Sequence, residues 1–301
     1  MDRDIRPVRQ RSVDSGDIRI AISEYGDDAN PSIILIHGIS NRSDDWVSVI
    51  PRLLRRFKVL AMDLRGHGQS SQPVSGYHHA DYVSDLQAVI MAYRLARPSI
   101  IGHSLGGIVA LKWAVAHPAT AAALVVEDSP LSVRPGTEAT FATWLSLNRL
   151  PFEALLAAYA TEHPQLPPEQ VRRRAEAMAG TAPTVFHEEL AAARAGVHTD
   201  HIAPLAVIRS PVLLIHGDPE TGGMVTAAQA RYFAATVPRS ETVRLAGGSH
   251  HLHRDRREAF VSAVVPFLIE HGGPQHGAGA GPASQFAQRD PSVNPSGIQP
   301  G

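Results

Sequence analysis

The sequence predicts a mostly parallel, doubly wound α/β sheet interrupted by one helical insertion. Three observations carry that prediction. Short apolar runs alternate with helix-patterned segments along most of the chain, a G-x-S-x-G turn joins one run to the helix after it, and residues 131–206 contain no convincing strand. Strands buried on both faces and separated by helices favour parallel pairing, with loops gathering functional residues at the carboxyl ends of the strands.

The elements follow in order. Residues 1–16 are polar and are expected to form an ill-ordered N-terminal extension. Residues 18–24 alternate apolar and polar, as a half-buried strand does. Residues 32–36, 58–62 and 123–126 are continuously apolar or nearly so, like strands covered on both faces, and residues 99–101, 212–215 and 242–245 complete the set. Helical patterns lie at 44–56, 79–95, 105–116, 226–235 and 257–270. Between 131 and 206 four alanine-rich amphipathic pieces, at 137–147, 152–161, 168–178 and 184–195, are punctuated by Pro151, Pro164, Pro167 and Pro183. A structureless loop of that length is implausible in a compact domain, so a helical cap is expected there. The predicted core is therefore 17–130 with 207–271. From Gly272 to the end the chain is rich in glycine and proline and poor in apolar residues, and disorder is expected.

Composition narrows the function. The chain has 301 residues, 44% hydrophobic and 19% charged, with a formal net charge of −1, so bulk electrostatics draws it neither to nucleic acid nor to an anionic membrane. There is no cysteine, which removes disulfides, thiolate metal sites and a cysteine nucleophile. The charged start, Met1-Asp2-Arg3-Asp4-Ile5-Arg6, does not resemble a signal peptide, and no apolar run approaches the roughly 20 residues of a membrane span. A cytoplasmic protein with a small-molecule partner is the expectation.

The chemistry centres on Gly102-His103-Ser104-Leu105-Gly106-Gly107. A sharp strand-to-helix turn crowds its neighbours, so glycines flank a serine held in a strained conformation and exposed at the strand end. The amide of Leu105 is then free at the helix start to bind an oxyanion. A serine hydroxyl needs a base, and the base needs an orienting acid. His250, after the Gly247-Gly248-Ser249 turn, is the predicted base, with His251 the alternative. The three histidines at 250, 251 and 253 also suggest a metal, but no carboxylate at ligand spacing accompanies them, and no metal is expected. Two aspartates satisfy the order serine, acid, histidine: Asp128 after the strand at 123–126, and Asp218 after the strand at 212–215. Glu127 should point to the opposite side of its strand. His37-Gly38-Ile39-Ser40 follows the strand at 32–36. There Gly38 allows a tight turn, the amide of Ile39 supplies the second oxyanion donor, and His37 organises the loop. Candidates for the substrate pocket are His37, Ser40, Asn41, His103 and Trp144, with Phe141, Leu145, Phe152, Tyr159 and Trp46 as further aromatic or apolar lining.

Over residues 17–270 the chain resembles the α/β-hydrolase superfamily in its cap-bearing branch. The resemblance rests on His37-Gly38, on Asp63-Leu64-Arg65-Gly66-His67-Gly68-Gln69-Ser70, on the serine turn and on Gly248-Ser249-His250. In that family Asp63 belongs to a structural loop. The resemblance implies an acid after the seventh strand in most members, but in this chain Gly222 falls where that aspartate belongs and Asp218 lies too early. Members that place the acid after the sixth strand match Asp128, which the resemblance favours. A serine rather than an aspartate nucleophile argues against epoxide hydrolase or dehalogenase chemistry. It implies acyl chemistry on a fairly apolar carboxylic ester or lactone, without a cofactor. The alternatives are acyl transfer or C–C bond hydrolysis on the same triad, or a non-catalytic ligand-binding member of the fold.

Overall fold

The computed structural model describes residues 5–132, 136–196 and 203–272. Eight strands form one sheet. They are β1 (Arg9–Ser15), β2 (Ile18–Tyr25), β3 (Ser32–Ile36), β4 (Lys58–Met62), β5 (Ser99–His103), β6 (Ala123–Glu127), β7 (Val212–His216) and β8 (Ser240–Arg244). Their order across the sheet is β1-β2-β4-β3-β5-β6-β7-β8. The pairs β1–β2 and β2–β4 are antiparallel and the others parallel. Ten α-helices accompany them among the described residues: α1 (Ile50–Leu53), α2 (His79–Ala92), α3 (Leu105–Ala116), α4 (Thr137–Asn148), α5 (Phe152–Glu162), α6 (Pro168–Ala179), α7 (Pro183–Arg194), α8 (Ala227–Thr236), α9 (Leu252–Asp255) and α10 (Arg257–His271).

The apolar runs build a core on both sheet faces. Along β3, Ile34 and Ile36 join the cluster that contains α2 and α3 residues, while Ile33 and Leu35 join the one that holds Trp46 and Phe260. Strand β4 divides in the same way, with Leu60 and Met62 on one side and Val59 and Ala61 on the other. All eight are fully buried. Each large aliphatic side chain so buried contributes about 1.5–3 kcal/mol, which is why these strands read as unbroken apolar runs.

Two local expectations are corrected. Residues 9–15 are not an ill-ordered extension but an edge strand, in register with β2 from Arg9↔Glu24 to Ser15↔Ile18. Only Val13 among them is buried, so the strand has no apolar alternation to read, and backbone pairing alone reveals it. The expected helix at 44–56 is two pieces, a 3-10 turn over Ser43–Ser48 and the short α1. Pro51 lacks an amide donor and sits at the start of α1, where a new helical segment begins without needing one. Residues 1–4 and the proposed disordered tail from 273 onward lie outside the described residues.

Helices α4 to α7 are inserted between β6 and β7, with α4 against α7 and α5 against α6. Leu145, Leu155, Met178, Val185 and Phe186 bury themselves in the core cluster of the α2–α3 face. Polar ties fix the insertion as well. Asn148 donates to the carbonyls of Met178 and Thr181 at 2.7 and 2.9 Å, Ala182 N donates to Gly66 O, and Glu188 accepts from the amides of Gly76 and Tyr77.

Candidate active site

Ser104 sits between β5 and α3 with φ 52° and ψ −118°, a left-handed conformation that costs a non-glycine residue about 1–3 kcal/mol. The turn is held by Ser104 N donating to Glu127 O and by the amides of Gly107 and Ile108 donating to Ser104 O. Its glycines are sterically required. A Cβ on Gly102 would lie 2.3 Å from Gly106 O, and one on Gly106 would lie 2.2 Å from Ile36 O. The loop after β3 presses on the turn from the other side, since a Cβ on Gly38 would come within 3.0 Å of Ser104 Cβ. That approach brings Ile39 beside Ser104 and Leu105, and all three line one cavity. The amide of Leu105, at the start of α3, has no intrahelical acceptor.

His250 lines the same cavity, and its Nδ1 lies 2.8 Å from Asp128 Oδ2. Asp128 follows β6, is fully buried, and has φ 41°. Its amide donates to Ile215 O, and its carboxylate accepts from Met224 N at 2.7 Å and Gly217 N at 3.3 Å. The carboxylate thus reaches from the end of β6 into the loop after β7, which contains Gly222. Asp218 is engaged elsewhere. Arg244 grips it through Nε at 2.5 Å and Nη2 at 3.0 Å, and Gly247 N donates to it at 2.8 Å. Those bonds, Arg244 first, hold its pKa down at about 2. A permanently ionised Asp218 anchors the glycine turn that leads to His250.

The cavity has a volume of about 410 Å³ and a mainly apolar wall, to which the insertion contributes Phe141 and Trp144. The other pocket expectations need correction. His37 is fully buried and fixes backbone, with Nδ1 donating to Gly38 O at 2.7 Å and Nε2 accepting from Leu64 N at 3.0 Å. Burial pushes its pKa below 6.5. Ser40 takes a left-handed backbone, and its amide donates to His67 rather than facing the cavity. Asn41 turns to Arg254. His103 alternates to the other side of β5 from the nucleophile position and donates from Nε2 to His250 O at 2.9 Å. Burial first, then the neighbouring His250 and His253, hold it neutral. Trp46 belongs to the opposite core layer, its ring tilted against His253 at 4.4 Å, and Leu145, Phe152 and Tyr159 pack within the insertion and against the core.

Two features have no sequence signal. Glu189 on α7 lines the cavity, and burial followed by the charge of Glu188 raises its pKa to about 7. Behind the site, His253 donates from Nδ1 to Glu127 at 2.8 Å and lies with Nε2 3.2 Å from Asp45. Burial opposes a charge on His253, but the two carboxylates outweigh it and raise its pKa to about 9. Glu127 indeed faces away from Asp128, and its partner comes from α9, more than a hundred residues on.

A serine at a strained strand-to-helix turn, a histidine on the loop after the last strand and a mostly parallel eight-stranded sheet define a hydrolase architecture. The sequence model of the alpha/beta hydrolase fold family matches residues 31–256, and the chain belongs to that family. Among similar proteins is the 2-(acetamidomethylene)succinate hydrolase of Mesorhizobium japonicum, 27% identical over 266 residues that cover 86% of this chain and 94% of that protein. The crystal structure of E-2-(acetamidomethylene)succinate hydrolase superposes with a TM-score of 0.74 at 26% identity, covering 86% of this chain and 98% of the other. A fluoroacetate dehalogenase from Burkholderia sp. is 29% identical over 184 residues, 60% of this chain and 55% of its own length. No described helix is long and apolar enough to cross a membrane.

Proposed function

We propose that this member of the family is a serine hydrolase that cleaves a small to medium, fairly apolar carboxylic ester or lactone through an acyl-enzyme. The observation that carries the reading is the His250–Asp128 bond of 2.8 Å beside Ser104 on one largely apolar cavity. Asp128 orients the His250 ring with Nδ1–H toward itself, leaving Nε2 to take the proton from Ser104 Oγ. Ser104 attacks the carbonyl carbon and forms a C–O bond, while the amides of Ile39 and Leu105 stabilise the oxyanion. His250 returns the proton to the leaving alkoxide, and a water activated in the same way releases the acid.

Helices α4 to α7 act as a cap over this site, with Phe141 and Trp144 selecting the acyl or alcohol group. The cavity wall carries Glu189, whose carboxyl group disfavours an acidic compound like the succinate in the relative's name. That polarity separates the proposed substrate class from the relative's. The reading also carries a cytoplasmic location, which the cysteine-free composition permits.

Labelling by a fluorophosphonate probe tests the reading. Wild-type protein is expected to label and to hydrolyse short p-nitrophenyl esters, and Ser104→Ala to do neither while unfolding at the same temperature. Ester turnover retained in Ser104→Ala, or a folded wild type inert to both probe and esters, would overturn it.

A further inference from the structure

Three side chains remote in sequence converge behind the His250–Asp128 pair. Asp45 comes from the 3-10 turn after β3, His103 ends β5, and His251 follows the proposed base. One ligand atom from each of the three side chains lies within 4.8 Å of the other two. Asp45 Oδ2, His103 Nδ1 and His251 Nδ1 are inaccessible to solvent and have no hydrogen-bond partner among the described residues.

The state of two of these atoms follows from their neighbours. His103 Nε2 lies 2.9 Å from the carbonyl of His250, which can only accept, so Nε2 carries the hydrogen and Nδ1 presents a lone pair. Arg254 and His253 both engage the other oxygen of Asp45, leaving Oδ2 as a second buried lone-pair donor. Arg254 and His253 balance the charge of Asp45, but a desolvated acceptor left without a partner is costly, and both Oδ2 and His103 Nδ1 are so left.

We propose that Asp45, His103 and His251 form a binding site for a divalent transition-metal ion, zinc being the ion that best suits two imidazole nitrogens and one carboxylate oxygen. The surroundings match what a metal site requires. His103 donates its other ring N–H to a backbone carbonyl, and Asp45 is oriented by Arg254, itself held by Asn41 at 2.7 Å. A cavity of about 630 Å³ is lined by Asp45 and Arg254 on the outer side of the cluster. Two bonds of about 2.1 Å span at most about 4.2 Å, so a pair near the 4.8 Å limit closes in by about half an ångström on binding.

The site is separate from the proposed chemistry. His250 uses Nδ1 on Asp128, and Ser104 takes no part, so the ion ties together the turn after β3, the end of β5 and the histidine loop. The expectation of no metal rested on the lack of a carboxylate near the histidines in sequence, and the fold supplies one from the opposite end of the chain.

The test uses the full chain, freed of metal by a chelator and titrated with zinc sulfate. One zinc per chain is expected, with a thermal midpoint that rises as zinc is added. Crystals of zinc-loaded wild type should show an anomalous scattering peak between the three atoms. His251→Ala should weaken zinc binding by about a hundredfold or more, since even outer-shell partners are worth about 10–100-fold, while His271→Ala should bind as wild type does. Absence of stoichiometric binding, a peak located elsewhere, or undiminished affinity in His251→Ala would overturn the proposal. Should His251→Ala fail to fold, the anomalous map of the wild type decides alone. None of these readouts depends on ester turnover, so the proposed hydrolase activity stands or falls separately.

Discussion

At the scale of residues, two aspartates that both satisfy the order serine, acid, histidine, with Asp128 favoured by the family resemblance, have opposite settings. Asp128 accepts from His250, Met224 and Gly217, whereas Asp218 is saturated by Arg244 and Gly247. Asp128→Asn should therefore lower kcat by about 10³–10⁴, the scale expected when a triad histidine loses its orienting acid. Asp218→Asn should lower the thermal midpoint by loosening the glycine turn and leave kcat within about tenfold of wild type. Steady-state kinetics with a p-nitrophenyl ester, beside thermal melts, checks both. A larger kcat loss in Asp218→Asn would move the acid to the loop after β7. The serine and its glycines were legible because their constraint is local, a strand turning into a helix within six residues. His103 and His37 were misplaced as pocket residues because a side chain's direction depends on partners brought in from β3, β4 and the histidine loop.

At the scale of elements, the insertion shapes one wall of the cavity through α4 and α7. Trp144 also packs edge-on against Phe141 at 5.6 Å. Trp144→Ala should raise KM for esters with longer chains several-fold while changing kcat for an acetate little, as loss of binding common to ground and transition states does. Chain-length series on the two proteins would measure it, and an equal loss of kcat for every ester would refute the assignment. The four helices themselves were visible from their amphipathic spacing and prolines. The ties that fix them to one another and to the core were not, because these run from Asn148, from the backbone amide of Ala182 and to Glu188, groups that look in sequence like any solvated helix face or turn.

At the scale of the whole molecule, the buried histidines give stability a maximum near neutrality. His37, His67 and His103 are held neutral by burial, His67 with a pKa near 3, against about 6.5 in the unfolded chain. Their contribution is complete above pH 6.5 and is lost as pH falls below it, at up to about 1.4 kcal/mol per pH unit for each. His253 runs the other way. With a folded pKa near 9, its contribution is complete below pH 6.5 and is lost as pH rises toward 9. Urea denaturation from pH 5 to 9 should show decline on both sides, and His253→Gln should flatten the alkaline side only. A wild-type profile flat between 6.5 and 9 would contradict a charged His253. The sequence by itself determined the sheet, the serine turn after β5 and the insertion, because apolar periodicity and glycine sterics act over a few residues. Only the tertiary structure decided which aspartate meets His250, that residues 9–15 close the sheet edge, and that Glu127, Asp45 and His253 meet. Those depend on groups tens to hundreds of residues apart, whose partners are chosen by the topology of the sheet and leave no local pattern.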